Sequence, residues 1–215
     1  PVWKIASEIQ KLKPDVLGIG IYIWNRSQSF ELIERLQKQN PNLKIVIGGP
    51  EVSFETETSI ECPVISGEGE KKWLEYLEII DQGGLPSEEV LNRWKTYGSD
   101  LPDLAPAYIE EDYTQLKNRI VYFETSRGCP YLCSFCLSAL DKTVRYFDDE
   151  IVYDQIKKLI DAGIQKFKFV DRTFNLKPGR MKALMEWLSQ FEGPEFHFEV
   201  VGDILTPDIL NFLET

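Results

Sequence analysis

Phe123-Glu-Thr-Ser-Arg-Gly-Cys129-Pro-Tyr-Leu-Cys133-Ser-Phe-Cys136 holds three of the four cysteines of the chain. The cysteines are separated by three residues and then by two, and they follow a β-rich run that breaks at a glycine. Cysteines this close do not easily form unstrained disulfides, whereas a short loop can turn successive thiolates towards one metal centre. A cube of four irons held by three thiolates keeps one iron open to another ligand. The segment therefore predicts a reactive metal site with Cys129, Cys133 and Cys136 as ligands.

The chain around this segment alternates between strand and helix patterns. These predict a strand over 119–125, a helix over 147–162 that ends at Gly163, a strand over 165–170, a helix over 178–190 and a strand over 196–201. Strand–helix units in this order predict the first half of a (β/α) barrel. The cysteines follow its first strand, on the C-terminal face where such barrels carry their chemistry.

The N-terminal part of the chain predicts a second, separate sheet. Helices are predicted over 2–12, 29–39 and 72–80, with Ser29 as an N-cap, and strands over 16–23, 43–47 and 63–66. The run 16–23 is apolar throughout, which is typical of a strand buried on both faces. Strands joined by helices in this rhythm predict an α/β fold with a doubly wound parallel sheet. The sheet has fewer strands than such folds usually have, so it is predicted to be truncated.

These patterns divide the chain into three predicted parts. Residues 1–82 form an α/β domain that is incomplete at its N-terminal side, 83–118 form a linker punctuated by glycine and proline, and 119–215 form a barrel that is incomplete at its C-terminal side. Residue 1 is not methionine, and residues 207–215 keep a helical pattern up to the last residue. We therefore expect a piece of a longer protein.

The composition restricts the classes of function. The chain has 215 residues, of which 43% are hydrophobic and 27% charged, an ordinary globular composition. Its net charge of −11 argues against a nucleic-acid partner, because phosphate binding needs clustered Lys and Arg. No apolar run is long enough to span a membrane, and no signal peptide is visible. Four cysteines without a secretory signal predict a reducing cytoplasm and metal or redox chemistry.

The cysteine spacing, with Phe135 before the last cysteine and a preceding strand that opens a barrel, resembles the radical S-adenosylmethionine superfamily. The resemblance implies that Cys129, Cys133 and Cys136 hold a [4Fe–4S] cluster whose open iron binds the amino and carboxylate groups of S-adenosylmethionine. It also implies reductive cleavage to methionine and a 5′-deoxyadenosyl radical, which abstracts hydrogen from a substrate. Phe135 is implied to contact the cofactor. A reductant such as flavodoxin or ferredoxin, and a small-molecule or peptide substrate, are the implied partners.

Three segments of the first domain resemble the cobalamin-binding domain that precedes the barrel in one large subfamily. They are residues 14–21, 46–50 and 66–70. The resemblance implies that Gly48 and Gly49 let the backbone approach the nucleotide tail of cobalamin, and that the reaction is a cobalamin-dependent methyl transfer. Paired glycines suit this task because they carry no Cβ to block a ligand. The alternative is that they form only the turn that ends the strand.

This chain departs from the subfamily pattern at two places. Gly20 stands where a serine is frequent, which removes one hydrogen bond to the nucleotide tail. The Asp-x-His-x-x-Gly segment of members that ligate cobalt is absent from the sequence. His197, the only histidine, lies on a predicted barrel strand and cannot replace that ligand.

Asp171, Arg172 and Thr173 follow the second predicted barrel strand. The resemblance implies that residues at this position recognise the amino group of the methionine moiety, through backbone carbonyls or an acidic side chain. An N-cap in the loop is the alternative role for Asp171, and also for Asn175.

Glu199 and His197 share one face of the last predicted strand, opposite Phe196 and Phe198. In a closed barrel the polar face points inward, so Glu199 is predicted to contact the ribose or the substrate. For His197 an interior or loop-facing position is favoured over a metal-ligand role. Arg127 either shields the charge of the cluster or caps the strand. Trp24 ends the first strand, where aromatic packing competes with corrin contact.

Two other functions remain open from the sequence. The cysteines could hold a tetrahedral zinc ion, completed by Cys62 or His197, in an interaction module. Cys62 alone is otherwise a small buried hydrophobic residue. The first domain could also belong to a corrinoid-binding protein without catalysis.

Overall fold

The computed structural model describes residues 1–53, 61–95, 107–108, 113–136, 138 and 143–213. The chain divides into two compact units, Pro1–Asp103 and Leu104–Thr215, and each contains its own parallel sheet. The α/β class predicted from the sequence is therefore confirmed. A search of the described residues for a helix long and apolar enough to cross a membrane finds none.

The first unit is built around a three-stranded parallel sheet in the order β1-β2-β3. Its elements are α1 (Val2–Leu12), β1 (Val16–Gly20), α2 (Arg26–Gln39), β2 (Lys44–Gly48), α3 (Pro50–Ser53), β3 (Val64–Ile65), α4 (Glu70–Asp81) and α5 (Glu88–Lys95). Successive side chains of β2 point to opposite faces, so Ile47 packs in one core with Ile33 and Leu36. Val46 packs in the other with Tyr76 and Trp94. Helices therefore cover both faces of this sheet.

The first strand is shorter than the sequence predicted. β1 ends at Gly20, and Ile23 and Trp24 are exposed rather than buried. The side chain of Asn25 accepts a hydrogen bond from the N–H of Tyr22 at 2.8 Å and donates one to the carbonyl of Gly20 at 3.0 Å. These two bonds turn the chain, so the predicted strand over 16–23 is wrong beyond Gly20.

The start of α2 also differs from the prediction. The helix begins at Arg26, after Asn25, and Ser29 is a buried residue inside its first turns. Ser29 is therefore not the N-cap.

The segment predicted as a linker over 83–118 contains α5, whose Trp94 is fully buried in the first unit. The Trp94 indole N–H donates to Glu75 at 2.8 Å, and its ring meets the Tyr76 ring edge-on at 5.9 Å. The backbone carbonyl of Trp94 accepts a hydrogen bond from the N–H of Ser66 at 3.0 Å. One large aromatic side chain thus anchors a helix within the segment predicted as a linker. The predicted linker residues 96–106 and 109–112 lie outside the described residues.

Trp94→Phe is expected to lower the free energy of unfolding of the chain by about 1–3 kcal/mol. The substitution keeps an aromatic ring but leaves a void and removes the donor to Glu75. Urea unfolding followed by circular dichroism measures the loss. Trp3→Phe is the matched control, because Trp3 is exposed and its replacement should change stability by less than about 0.5 kcal/mol. Equal effects of the two substitutions would contradict an anchoring role for α5.

The second unit contains a three-stranded parallel sheet and a short antiparallel pair. Its elements are α6 (Tyr113–Leu116), β4 (Ile120–Phe123), β5 (Ser126–Arg127), β6 (Arg145–Tyr146), α7 (Asp149–Asp161), β7 (Lys166–Phe169), α8 (Pro178–Leu188), β8 (Glu195–His197) and α9 (Pro207–Leu213), with 3-10 turns at Phe174–Leu176 and Gly202–Ile204. The parallel order is β4-β7-β8, and β5 pairs with β6. Helices α7 and α8 pack on one face of the parallel sheet through its buried phenylalanines.

The other face of this sheet is polar and largely exposed. Tyr122, Lys168 and His197 lie side by side on it, one from each strand. The alternation predicted for the last strand is confirmed up to Phe198, because Phe196 and Phe198 pack on the core. The strand itself ends at His197, so its predicted extension to 201 is wrong, and Val200 is exposed.

Candidate functional site

The cysteine segment is a loop that is closed at its base by β5 and β6. These strands pair Ser126 with Tyr146 and Arg127 with Arg145. Just outside the pair, the N–H of Phe147 donates to the carbonyl of Thr125 at 3.0 Å. We call residues 125–128 and 143–147 the neck, and residues 129–136 and 138 the cysteine loop. Because the neck follows β4, it stands at the C-terminal edge of the parallel sheet, as the sequence predicted.

Gly128 ends the first arm of the neck and is required there for two reasons. Its φ of +97° lies in the left-handed region, which side chains other than glycine rarely adopt. A Cβ at this position would also overlap the carbonyl oxygen of Thr143 on the other arm. The two arms are therefore in direct backbone contact where the cysteine loop begins.

All three cysteines of the loop are free thiols, and they differ in exposure. Cys129 is buried, Cys133 is exposed and Cys136 is partly buried. The N–H of Cys136 donates to the carbonyl of Cys133 at 3.0 Å, which forms a tight turn between them. Within the residues that the structure describes, no three His, Cys, Asp or Glu side chains are close enough together to hold a metal ion.

The chemistry of these donors fits an iron–sulfur cluster. Hydrogen bonds from the backbone and the hydroxyl of Ser138 lower the pKa of the Cys136 thiol, and the nearby Arg172 guanidinium lowers it further. Thiolate is the form that binds metal, and soft thiolates favour iron–sulfur clusters. Phe135 is 92% exposed, so its ring is available to a ligand. The assignment of these residues to a cluster and its cofactor stays a prediction.

Asp171 lies in a position that differs from the expected open ligand site. Its side chain is only 1% exposed, and both carboxylate oxygens accept hydrogen bonds from Thr125 and Ser126. The carboxylate of Asp171 is therefore already hydrogen-bonded to residues of the neck. It does not cap a helix either, since α8 follows Lys177 and has no side-chain cap.

The other residues of this loop have three different environments. Arg172 is exposed and lies close enough to Cys136 to affect its pKa. Thr173 is buried, and its hydroxyl oxygen has no hydrogen-bond partner in the described part of the chain. Asn175 is fully buried and binds the backbone of Val201, so it does not act as an N-cap.

Glu199 lies two residues beyond β8 rather than within a strand. Its carboxylate pairs with Lys168 at 3.4 Å, and both side chains are partly exposed. His197 is also exposed, beside Lys168 on the neighbouring strand. Arg127 forms an ion pair with Glu124 three residues before it. The open face of the second sheet therefore carries the polar residues that the sequence assigned to it.

In the first unit, Gly48 and Gly49 are explained by contacts within the chain. A Cβ on Gly49, which has φ +97°, would lie 2.5 Å from the carbonyl oxygen of Ile21. A Cβ on Gly48 would lie 3.1 Å from the carbonyl oxygen of Ile65. Contacts within the chain thus require glycine at position 49 and leave little space for a side chain at position 48, whether or not a ligand is bound, which favours the turn role.

Two other predicted positions of the first unit have clear surroundings. Trp24 stacks on Tyr22 with the ring centroids 4.7 Å apart, and most of its surface is exposed beyond the end of β1. Cys62 is partly buried and accepts a hydrogen bond from the amide of Gln37 at 3.5 Å. Burial raises the pKa of the Cys62 thiol, which disfavours the thiolate that a metal needs.

Arg180 is a residue of the site that sequence reasoning missed. It lies in the first turn of α8 and donates to the Thr125 hydroxyl at 2.9 Å, to Asp149 at 2.6 Å and to the carbonyl of Phe147 at 3.3 Å. A cation near a helix N-terminus is unfavourable for the helix dipole. That mismatch was the one signal in the sequence that Arg180 has a partner elsewhere.

Comparison with known proteins relates both units to one group of enzymes. The B12 binding domain family matches residues 2–76. The cobalamin-dependent radical SAM methyltransferase TokK of Streptomyces tokunonensis is 28% identical, over 83% of this chain and 30% of that protein. An uncharacterized methyltransferase of Pyrococcus horikoshii is 30% identical, over 82% of this chain and 43% of that protein. This chain therefore spans less than half the length of these two relatives.

A solved structure shares the fold over nearly the whole chain. The radical S-adenosylmethionine methyltransferase TsrM of Kitasatospora setae, with cobalamin and a [4Fe–4S] cluster bound, superimposes with a TM-score of 0.69. The match covers 98% of this chain and 50% of that protein, at 17% identity.

Proposed function

We propose that this chain, which belongs to the cobalamin-binding-domain subfamily of the radical S-adenosylmethionine superfamily, is part of an enzyme that reductively cleaves S-adenosylmethionine and transfers a methyl group with cobalamin. Three free thiols in one loop at the C-terminal edge of a parallel sheet carry this proposal. Similarity to relatives named as methyltransferases supports the reaction type.

In the proposed enzyme, Cys129, Cys133 and Cys136 hold the [4Fe–4S] cluster. When bound there, the cluster would supply the electron for reductive cleavage of S-adenosylmethionine. The chain's own contribution is to fix the base of the loop and to lower the pKa of the Cys136 thiol. Arg172 lies close enough to Cys136 to lower the pKa of its thiol, and the exposed ring of Phe135 offers an apolar surface to the cofactor.

Cobalamin binding is proposed for the first unit. The match to the B12 binding domain family supports it, as does the position of exposed aromatic rings beyond the end of β1. Parallel sheets bind ligands outside the carboxyl ends of their strands. We further propose a flavodoxin or ferredoxin as reductant and a cytoplasmic location.

The experiment that tests the function is anaerobic reconstitution of the full-length protein with iron and sulfide. We expect both elements to be retained, and S-adenosylmethionine with reductant to yield 5′-deoxyadenosine or S-adenosylhomocysteine. Retention of zinc alone would instead identify the zinc-stabilised interaction module. Binding of hydroxocobalamin without any cluster would identify a corrinoid-binding protein without catalysis.

Arg172→Gln is expected to make the cluster harder to reduce. A positive charge near the cluster stabilises the reduced form, which carries one more negative charge, so its removal shifts the potential to a more negative value. Exposed charges interact by up to about 1 kcal/mol, or roughly 40 mV for one electron. Redox titration followed by electron paramagnetic resonance (EPR) measures the shift. Lys157→Gln, a charge change at an exposed residue of α7, is the control, and an equal shift there would contradict a local effect of Arg172.

A further inference from the structure

We propose that Asp171, Thr125, Ser126 and Arg180 form a brace that fixes the neck, and with it the start of the cysteine loop at Cys129, for cluster binding. This inference rests on the proposed function, because it assigns a positioning role towards the same cluster. It changes the part played by Asp171. The sequence assigned this residue to the cofactor, whereas its contacts assign it to the base of the loop.

The carboxylate of Asp171 fixes the first arm of the neck. It accepts the N–H of Thr125 at 3.1 and 2.9 Å, the Thr125 hydroxyl at 2.7 Å and the Ser126 hydroxyl at 2.6 Å. All these donors come from two adjacent residues, 46 and 45 positions earlier in the chain. Hydrogen bonds to a buried carboxylate are short and strong, so the arm is held in one position relative to β7.

Arg180 joins the two arms of the neck to each other. Its guanidinium donates to the Thr125 hydroxyl on the first arm and to the carbonyl of Phe147 on the second. The same group packs over the ring of Tyr146 at 5.1 Å from the ring centroid. Thr125 therefore accepts from Arg180 and donates to Asp171, which makes one continuous hydrogen-bonded chain across the neck.

The buried and charged groups of the brace depend on one another. The buried Asp171 carboxylate is linked through Thr125 to Arg180, whose side chain is 17% exposed and also pairs with Asp149 at 2.6 Å. Removal of one partner from a buried polar network leaves the remaining groups without a hydrogen bond. The free energy lost in this way is larger than the net stabilisation that the intact network provides. The brace should therefore respond strongly to single substitutions.

The position of the brace explains why it would matter for a cluster. Cys129 is one residue beyond Gly128, while Cys133 and Cys136 lie in the more exposed part of the loop. A cubane requires its three sulfur ligands at fixed mutual distances, and residues that orient metal ligands commonly affect affinity 10–100-fold. Among the residues that the structure describes, the neck has such fixed contacts directly before Cys129, so we expect the orientation of Cys129 to depend on the neck.

The test uses the full-length protein, reconstituted anaerobically, and the variants Asp171→Asn and Thr125→Val. Asparagine puts an N–H₂ group where donors now point, and valine keeps the shape of threonine but breaks the link between Arg180 and Asp171. We expect either variant to lose iron to a chelator about tenfold faster than the unsubstituted protein. We also expect a changed EPR spectrum of the reduced cluster.

Leu188→Ala is the control, because Leu188 is buried in the same core. Among the described residues it forms no hydrogen bond with the neck. It should lower thermal stability yet keep the rate of iron loss and the EPR spectrum. If Asp171→Asn fails to fold, the rate of iron loss from Thr125→Val tests the brace instead. If the brace variants lose iron at the same rate as the unsubstituted protein and keep its EPR spectrum, or lose only thermal stability as Leu188→Ala does, the brace is wrong while the proposed function still stands. Failure of the unsubstituted protein to bind iron and sulfide would overturn the proposed function and the brace with it.

Discussion

Cys133→Ser is expected to reduce the iron and sulfide content of the reconstituted protein to background. Serine is a poor ligand for iron in a cluster, and two remaining thiolates do not hold a four-iron cube. Because Cys133 is exposed, the substitution should leave the free energy of unfolding of the metal-free chain within about 0.5 kcal/mol. Metal analysis and visible absorbance measure the loss of the cluster, and urea unfolding checks the fold.

Cys62→Ser provides the matched control for this experiment. Cys62 lies in the first unit, and burial raises the pKa of its thiol. We expect Cys62→Ser to retain iron and sulfide at the level of the unsubstituted protein. A cluster that survived in Cys133→Ser, or one that was lost in Cys62→Ser, would contradict the assignment of the three ligands.

Gly128→Ala is expected to lower the free energy of unfolding by more than about 4 kcal/mol, a size that steric conflict in a packed structure can produce. Alanine at φ +97° is strained, and its Cβ would overlap the carbonyl oxygen of Thr143. The conflict is with backbone on the other arm of the neck, so no side-chain rotation relieves it. Thermal unfolding measures the loss, and reconstitution of the same variant should give no stable cluster.

Gly179→Ala is the control for the loss of a glycine. Gly179 lies in α8, where a Cβ would have no neighbouring atom within 4 Å, and its φ is not positive. Alanine there should stabilise the chain by about 0.4–1 kcal/mol. Gly128→Ala with near-normal stability would show that the two arms separate easily, which contradicts the neck as described.

The parts of the fold that could be predicted from the sequence are those in which local pattern and tertiary structure agree. The helix over 2–12 and the strand before the cysteines were found in this way. Gly163, predicted to end a helix, has φ +93° just after α7. In these cases periodicity and turn chemistry depend on a few neighbouring residues, so the sequence carries the whole signal.

The parts that could not be predicted depend on contacts between distant residues. Helix α5 is held by Trp94, whose partners Ser66 and Tyr76 lie much earlier in the chain. The hydrogen bond of Asn175 to Val201 likewise joins two turns that are 26 residues apart in the chain. Neither pairing leaves a periodic trace, so propensity and pattern alone could not reveal them.

Asp171 shows the same limit for the candidate site. Its place after a barrel strand correctly put it near the cysteine loop, since the ends of parallel strands meet at one edge. What it binds there was invisible, because Thr125 and Ser126 are ordinary strand-end residues in the sequence. The predicted neighbourhood was therefore right, while the chemical role came only from the hydrogen bonds.

The paired arms of the neck have a consequence for how this protein can diverge. Once the two ends of a loop are fastened to each other, doubling its length costs only about 0.6 kcal/mol in closure entropy. A change in the length of the segment that the neck closes would then be nearly neutral for the sheet below. The neck thereby separates the stability of the scaffold from the length of what it carries.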